Sequence, residues 1–335
     1  VLKSHINIAP EKILVIRTDR IGDVILTLPV IDTLKSNFPN AEIDFLVNKR
    51  VAELVQDYPN INKVHTIEKE NIKDIHRIAE RGKYDLAIVV RPVFATALGL
   101  FMAGVKYRLG TGYRWYSFLF NIKHHQHRKH ALKHELEYNL DMLDELNCKR
   151  PDKITLKLDV NEPEMHSMKK KLEQHSVPLD KPYIIIHPGS LGSALTWKKE
   201  NFIKLIELLQ ANEKINYNIL LSGTQTENEL LKDITNKSGG KTYIVNNLNL
   251  KELAALLKQA KMFISNSTGP IHIAAAVGTF VIGFYSPIKV ESETRWGPYT
   301  DYKKIFTPSD TAEGDIMDEI KPEEVYKFIE NKLRI

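Results

Sequence analysis

At 335 residues, with 43% apolar and 27% charged residues, the chain has the composition of an ordinary globular protein and is long enough for two domains. Its one cysteine, Cys148, excludes an intrachain disulfide and a metal site built from thiolates, and is compatible with a reducing cytoplasm. A net charge of +5 is modest for this length, the apolar runs are shorter than a membrane-spanning helix needs, and the N-terminus lacks a basic-then-apolar secretion pattern, so a soluble chain is expected.

The first elements lie in residues 13–24, ILVIRTDRIGDV. The β-branched run 13–16 predicts a strand buried on both faces, followed by a βα loop over 17–23 and a helix over 24–37. Ile25, Leu28 and Ile31 fall on one stripe of that helix, and Pro29 is expected to bend it or cut it short. Loops at the carboxyl ends of parallel strands hold ligands, which marks Asp23. From its neighbours alone, Asp23 as a helix N-cap beside Gly22 is the commoner role. Strands over 43–47, 64–67 and 86–90 and a helix over 72–81 continue a βαβ alternation that predicts a parallel sheet.

Residues 106–134 carry seven Lys or Arg, five His and no Asp or Glu, interleaved with Tyr107, Tyr113, Trp115, Tyr116, Phe118 and Phe120. Such a stretch attracts an anionic partner. Because it lies inside a domain and charge elsewhere is balanced, an acidic substrate explains it more economically than nucleic acid or an anionic membrane surface. The histidines at 124, 125, 127 and 130 match no metal-ligand spacing, and neighbouring cations oppose a metal there.

Pro151, Pro163, Pro178 and Pro182 surround a charged helix and place a boundary. The division expected is an N-terminal domain (1–155), a linker (156–181), a C-terminal domain (182–318) and a closing helix (319–335) docked across the interface. Within the second domain, alternation restarts with a strand over 183–187. It continues through helices over 200–212, 227–237, 250–259 and 270–277 and strands over 217–222, 242–245, 262–265 and 280–285. A second doubly wound domain is predicted, with a cleft between the two. Residues 322–333 read as an amphipathic helix with Val325, Phe328, Ile329 and Leu333 on one face.

Three segments of this second domain carry candidate chemistry. YIIIHPGSLGSALTWKKENF (183–202) is a strand, then a loop with Gly189, Ser190, Gly192, Ser193 and Thr196, then Trp197 and a helix. Small residues and hydroxyls near a helix N-terminus suit a diphosphate, although the loop is neither a Walker A nor a G-x-G-x-x-G sequence and an ordinary surface turn is the alternative. In MFISNSTGPIHIAAAVGT (262–279), a strand ends at Ser265 and Asn266, and Pro270 opens a helix whose free amides point from Ser267, Thr268 and Gly269. Glu227 in SGTQTENE stands just beyond a strand end, placed to accept from ribose hydroxyls or, more plainly, to sit in a first helical turn.

Together, RTDRIGDVILTLPVIDTLK, HPGS with a Trp ten residues after its His, and NSTGPIHIAAAVGT resemble glycosyltransferase family 9, the bacterial ADP-heptose:lipopolysaccharide heptosyltransferases. The similarity runs over nearly the whole chain, including HELEYNLDML (134–143) and IMDEIKPEEVYKFI (316–329). The resemblance implies an α/β GT-B fold of two Rossmann-like domains facing across a cleft. It also implies metal-independent inverting transfer, without a cofactor, of heptose from ADP-heptose to an anionic lipid-linked acceptor of the lipopolysaccharide inner core. The enzyme would be cytoplasmic and peripheral at the inner face of the inner membrane.

Asp23 matches the family's general base. The donor set implied is Ser190, Gly192, Ser193, Thr196, Lys198, Glu227, Ser267, Thr268, Gly269 and His272, with Arg20 and Arg114 on the acceptor. Two departures fall in the donor site: Leu195 stands where the family often has Lys, with Lys198 a substitute just after Trp197, and Ser267 stands where many members have Asp. They leave transfer of a different nucleotide-activated sugar to another surface glycan, or binding without turnover, as alternatives.

Overall fold

The computed structural model describes residues 8–178, 180–190, 192, 194–309 and 315–333. The chain divides into two compact units, Val1–Leu156 and Lys157–Ile335.

The first unit is built on strands β1 (Lys12–Ile16), β2 (Glu42–Asn48), β3 (Lys63–Ile67), β4 (Leu86–Val89), β5 (Tyr107–Thr111) and β6 (Ile122–His124). All pair in parallel, in the order β3-β2-β1-β4-β5-β6. Ile13, Leu14, Val15 and Ile16 are buried, as the uniformly apolar run requires for a strand covered on both faces. Strand order reverses between β1 and β4, so the carboxyl ends of these two strands flank the switch point where such sheets hold ligands.

The helix expected over 24–37 is two helices, Ile21–Ile25 and Leu28–Asn37. The Thr27 hydroxyl donates to the Asp23 carbonyl at 2.8 Å, while the Thr27 amide turns to Val24. Pro29 brings no N–H to the following turn and sits near the start of the second helix, where a missing donor costs least. The basic stretch folds as β5, β6 and two short 3₁₀ turns at one sheet edge, next to helix Phe94–Met102, an element that periodicity did not mark.

The second unit repeats the plan with β7 (Tyr183–His187), β8 (Asn218–Ser222), β9 (Tyr243–Val245), β10 (Met262–Asn266), β11 (Val281–Phe284) and β12 (Lys303–Phe306), ordered β12-β11-β10-β7-β8-β9 and parallel throughout. The short, half-polar edge strand β12 is absent from the sequence expectation. Helix Glu162–Gln174, in the segment expected as linker, packs in this unit: Ser167 donates to Glu252 at 2.6 Å and Lys171 pairs with the same carboxylate at 2.7 Å. Helix Pro322–Leu333 inserts Val325 and Ile329 into the core of its own unit and meets helix Lys199–Ala211, with Asn212 donating to Tyr326 at 2.9 Å. No helix among the described residues is long and apolar enough to cross a membrane.

Candidate active site

In the first unit, Asp23 lies on the first turn of helix Ile21–Ile25, immediately after β1. Arg20, exposed, occupies the N-cap, so capping is not what the Asp23 side chain does. Its Oδ1 instead accepts from the buried guanidinium of Arg17, and the Asp23 carboxylate makes no other side-chain bond among the described residues. Burial pushes the Asp23 carboxyl up to about 6. The Arg17 charge opposes that rise, and Asp19 and Glu135 add to it. A carboxyl poised there is ionised at neutral pH yet basic enough to take a proton, as a general base requires.

Arg17 is itself held on several sides. Its Nε donates to Asp19 at 2.7 Å, and its Nη1 lies 3.4 Å from both Glu135 Oε1 and Asn139 Oδ1. Arg128 donates to the same two acceptors at 2.5 and 3.0 Å. The Asn139 amide donates to the Leu26 carbonyl at 3.2 Å, at the break between the two helices. Glu135 and Asn139 thus tie the Asp23–Arg17 pair to Arg128.

Arg128 lines a pocket of about 370 Å³ at the carboxyl ends of β4, β5 and β6, together with Tyr113, Arg114, His127 and Lys129. Arg114 is exposed at its edge. Arg114, predicted for the acceptor, and Asp23, the predicted base, therefore both lie at the carboxyl end of one sheet, and Arg128 of the pocket meets Arg17 at Glu135 and Asn139. No group of three or more His, Cys, Asp or Glu among the described residues is arranged to hold a metal ion.

In the second unit, the loops after β7, β8 and β10 converge. Asn266, fully buried at the end of β10, accepts from the Trp197 amide at 2.8 Å and donates to the Pro188 carbonyl at 2.9 Å. One side chain thus fixes both ends of the loop that follows β7. Trp197 anchors that loop in the core, stacked on Phe284 with ring centroids 4.2 Å apart and donating its indole N–H to the Ile320 carbonyl at 2.9 Å.

Between these anchors Ser190 Oγ accepts from the Gly192 amide at 3.2 Å, and Gly192 takes φ +73°, a conformation glycine adopts without a Cβ penalty. Gly189 stands against Glu227, where a Cβ would come within 1.8 Å of the carboxylate. Glu227 closes a capping box with Thr224, accepting from its amide and hydroxyl at 2.8 Å each. His187 is buried against Ser222 at 3.1 Å, and burial holds its pKa below the ordinary value although the Glu227 charge opposes this.

The remaining predicted donor residues divide. Thr268 is the N-cap of helix Gly269–Ala276, but its hydroxyl engages Ser265 at 3.0 Å and does not cap, so that side chain leaves the first-turn amides to other partners. Ser267 is half-buried and hydrogen-bonds the buried Tyr285 hydroxyl. His272 is buried one turn into the same helix, and Thr196 is half-buried just before Trp197. Lys198, proposed as a stand-in for the missing loop lysine, is engaged by Asp318 at 2.5 Å and Asp315 at 3.0 Å. Leu195 is partly exposed, its amide donating to Glu291 at 3.2 Å. Ser193 lies outside the described residues.

Sequence reasoning did not single out Arg17, Glu135, Asn139 and Arg128, nor the bridging role of Asn266. The signal for the first group was present: Arg17 and Asp23 share one short loop, and HELEYN carries Glu135 and Asn139 four residues apart, hence on one helix face.

The profile of "Glycosyltransferase family 9 (heptosyltransferase)" matches residues 75–326. A Haemophilus influenzae protein named "Putative glycosyltransferase" is 29% identical over 308 residues, covering 88% of each chain. Lipopolysaccharide heptosyltransferase 3 of Escherichia coli is 24% identical over 319 residues, covering 91% of each. The solved structure of Escherichia coli ADP-heptose lps heptosyltransferase II superposes with a TM-score of 0.81 at 22% identity, over 96% of this chain and 98% of that one, which places both units in the GT-B fold class. The chain is a glycosyltransferase and belongs to glycosyltransferase family 9, the heptosyltransferases.

Proposed function

We propose that the protein is an inverting glycosyltransferase that moves heptose from ADP-heptose to the lipid A-linked inner core of lipopolysaccharide, working at the cytoplasmic face of the inner membrane. The observation that carries the reading is the Asp23 carboxylate, fastened at one oxygen by Arg17 and raised to about 6 at the carboxyl end of β1. Acceptor activation falls to the first unit and donor binding to the second.

In this reaction Asp23 takes the proton of an acceptor hydroxyl as that oxygen bonds to the anomeric carbon, on the face opposite the leaving group. The bond from the anomeric carbon to the diphosphate oxygen breaks, its electron pair leaving with ADP. Amides and hydroxyls around Ser190, Gly192, Ser193, Thr196, Ser267, Thr268 and Gly269 stabilise the departing charge, with His272 beside them. Glu227 is assigned to the ribose hydroxyls. Arg20 and Arg114 are assigned to acceptor anions, Arg114 at the rim of the basic pocket. The pairing of Lys198 with Asp315 and Asp318 supports a diphosphate set without it.

A second reading, transfer of a different nucleotide-activated sugar to another surface glycan, is favoured by Leu195 and Ser267 at donor-site positions. Thermal shift against ADP, UDP and GDP and their sugars, followed by product formation with authentic acceptor, separates the readings. ADP-heptose is expected to raise the midpoint and to be turned over. Stabilisation by another nucleotide sugar alone would replace the donor assignment, and binding without product under every acceptor would make the protein a non-catalytic binder.

A further inference from the structure

Two arginines of the first unit compete for the same pair of acceptors, and only one of them is within reach of a ligand. Arg128 Nη1 donates to Glu135 Oε1 at 2.5 Å and to Asn139 Oδ1 at 3.0 Å, whereas Arg17 Nη1 stands 3.4 Å from each, at the outer limit of a hydrogen bond. The Arg128 side chain is 21% exposed and lines the basic pocket, while that of Arg17 is 4% exposed and does not. Glu135 and Asn139 are buried on one face of helix Glu135–Asp141, so an acceptor that loses one arginine has the other to turn to.

The pocket suits an anion. Arg114, His127 and Lys129 line it with Arg128, and no carboxylate among the described residues does. Arg128 also donates from Nε to Gln126 Oε1 at 3.1 Å, and from Nη2 to the Tyr138 carbonyl at 3.3 Å and the Met142 thioether at 3.6 Å. The thioether is the weakest of these acceptors, and Met142 lines the pocket. A phosphate or carboxylate that enters displaces it first and, binding the fork through two oxygens, contests Nη1 with Glu135.

Arg17 responds to such a release because its guanidinium is one rigid plane. Its Nη2 bonds Asp23 and its Nε bonds Asp19 at 2.7 Å, so closing the Nη1 contacts to Glu135 and Asn139 shifts the whole fork and slackens the bond to Asp23. The charged groups facing Asp23 are Arg17 and Asp19 from its own loop and Glu135 from helix Glu135–Asp141. Asp19 is shared with Arg91, 3.8 Å away after β4, which pairs in turn with Glu70 after β3.

We infer that Arg128 is a positioning residue: an anionic group of the acceptor seated in the pocket draws Arg128 off Glu135 and Asn139, these turn to Arg17, and Arg17 loosens its hold on Asp23. Each step acts in one direction. With Glu135 less neutralised and Arg17 less close, Asp23 holds a proton more strongly, so it is the stronger base only while an acceptor is in place. The acceptor's anionic character is taken from the proposed function, and to that extent the inference rests on it. The test reads the carboxyl group and needs no transfer.

Carbon-13 NMR titration of the full chain labelled at aspartate Cγ, with Asp23 assigned by the signal lost in Asp23→Asn, measures the effect. Sodium sulfate is the anion, and sodium chloride at equal ionic strength is the reference. Wild-type Asp23 should titrate at about 6 in chloride and at least about half a pH unit higher in sulfate. Arg128→Met should start higher by about half a pH unit or more in chloride and gain nothing from sulfate. Arg128→Lys, which keeps the charge without the fork, should lie between. In Glu135→Gln the titration should begin lower, because the Glu135 charge raises it, and sulfate should leave it in place. Near-ultraviolet circular dichroism checks that each variant folds, and the comparison of salts on wild type and Glu135→Gln needs no change at Arg128.

A wild-type titration that sulfate does not move overturns the inference. So does an undiminished sulfate response in Arg128→Met or Glu135→Gln, which would make the effect the direct field of a bound ion. A merely structural Arg128 would lower stability in Arg128→Met without moving the titration. A sulfate response through Arg128 without turnover of ADP-heptose leaves the inference standing and removes the proposed function, and turnover with an unmoved titration does the reverse.

Discussion

The Arg17 guanidinium grips one oxygen of the Asp23 carboxylate, and both residues are buried. The pairing has two consequences of opposite sign. It keeps a buried carboxyl ionisable near neutrality, and it makes the charge of that carboxyl depend on a neighbour that never touches the sugar.

The pH dependence of kcat/KM should therefore show an acid limb near pH 6, falling about ten-fold per unit below it as Asp23 takes up its proton. Stability runs the other way. Because the native carboxyl is raised from 3.8 to about 6, its contribution is complete below pH 4 and is lost as pH rises through 6. Initial rates across pH 4.5–8 (roughly the span over which such a group titrates) measure the limb.

Replacing Arg17 by Met removes the charge that lowers the Asp23 pKa, so the acid limb should move up by about one unit or more. It also leaves Asp19, Asp23 and Glu135 without their shared cation, at a cost of about 3–5 kcal/mol in denaturant unfolding. Arg17→Lys keeps the charge but loses the fork and should fall between. A purely structural Arg17 would lower stability without moving the limb.

Asn266→Ala strips two buried bonds at once, from the Trp197 amide and to the Pro188 carbonyl. We expect about 1–3 kcal/mol of lost stability for each group left unpaired, and weaker ADP binding because both ends of the loop after β7 are released. Calorimetric titration with ADP checks the second effect.

Lys198→Ala should change ADP affinity by less than about two-fold, because its amine is held by Asp315 and Asp318 at the surface and surface pairs contribute little. A large loss would return Lys198 to the diphosphate set.

Much of the fold was legible because β1, β7 and β10 each carry an apolar run (13–16, 183–186 and 262–264) bounded by polar residues or proline, and burial on both faces leaves few other sequences. Pro29 announced a break in its helix, although the chain gives way at Leu26 and Thr27, where the Thr27 hydroxyl takes over the Asp23 carbonyl. Helix Phe94–Met102 escaped notice because FATALGLFM is apolar almost all round, leaving no period to read. Site positions after strands were readable from motif order. The partners were not: Glu135 and Asn139 lie more than a hundred residues from Arg17, and only the packing of helix Glu135–Asp141 brings them to it.

Turnover of Asp23→Ala, measured beside ADP binding to the same variant, tests the general-base assignment most directly. The account predicts a fall in kcat of at least about a thousand-fold, with the ADP dissociation constant unchanged within about two-fold, and the same result for the near-isosteric Asp23→Asn. Wild-type turnover in either folded variant would contradict it.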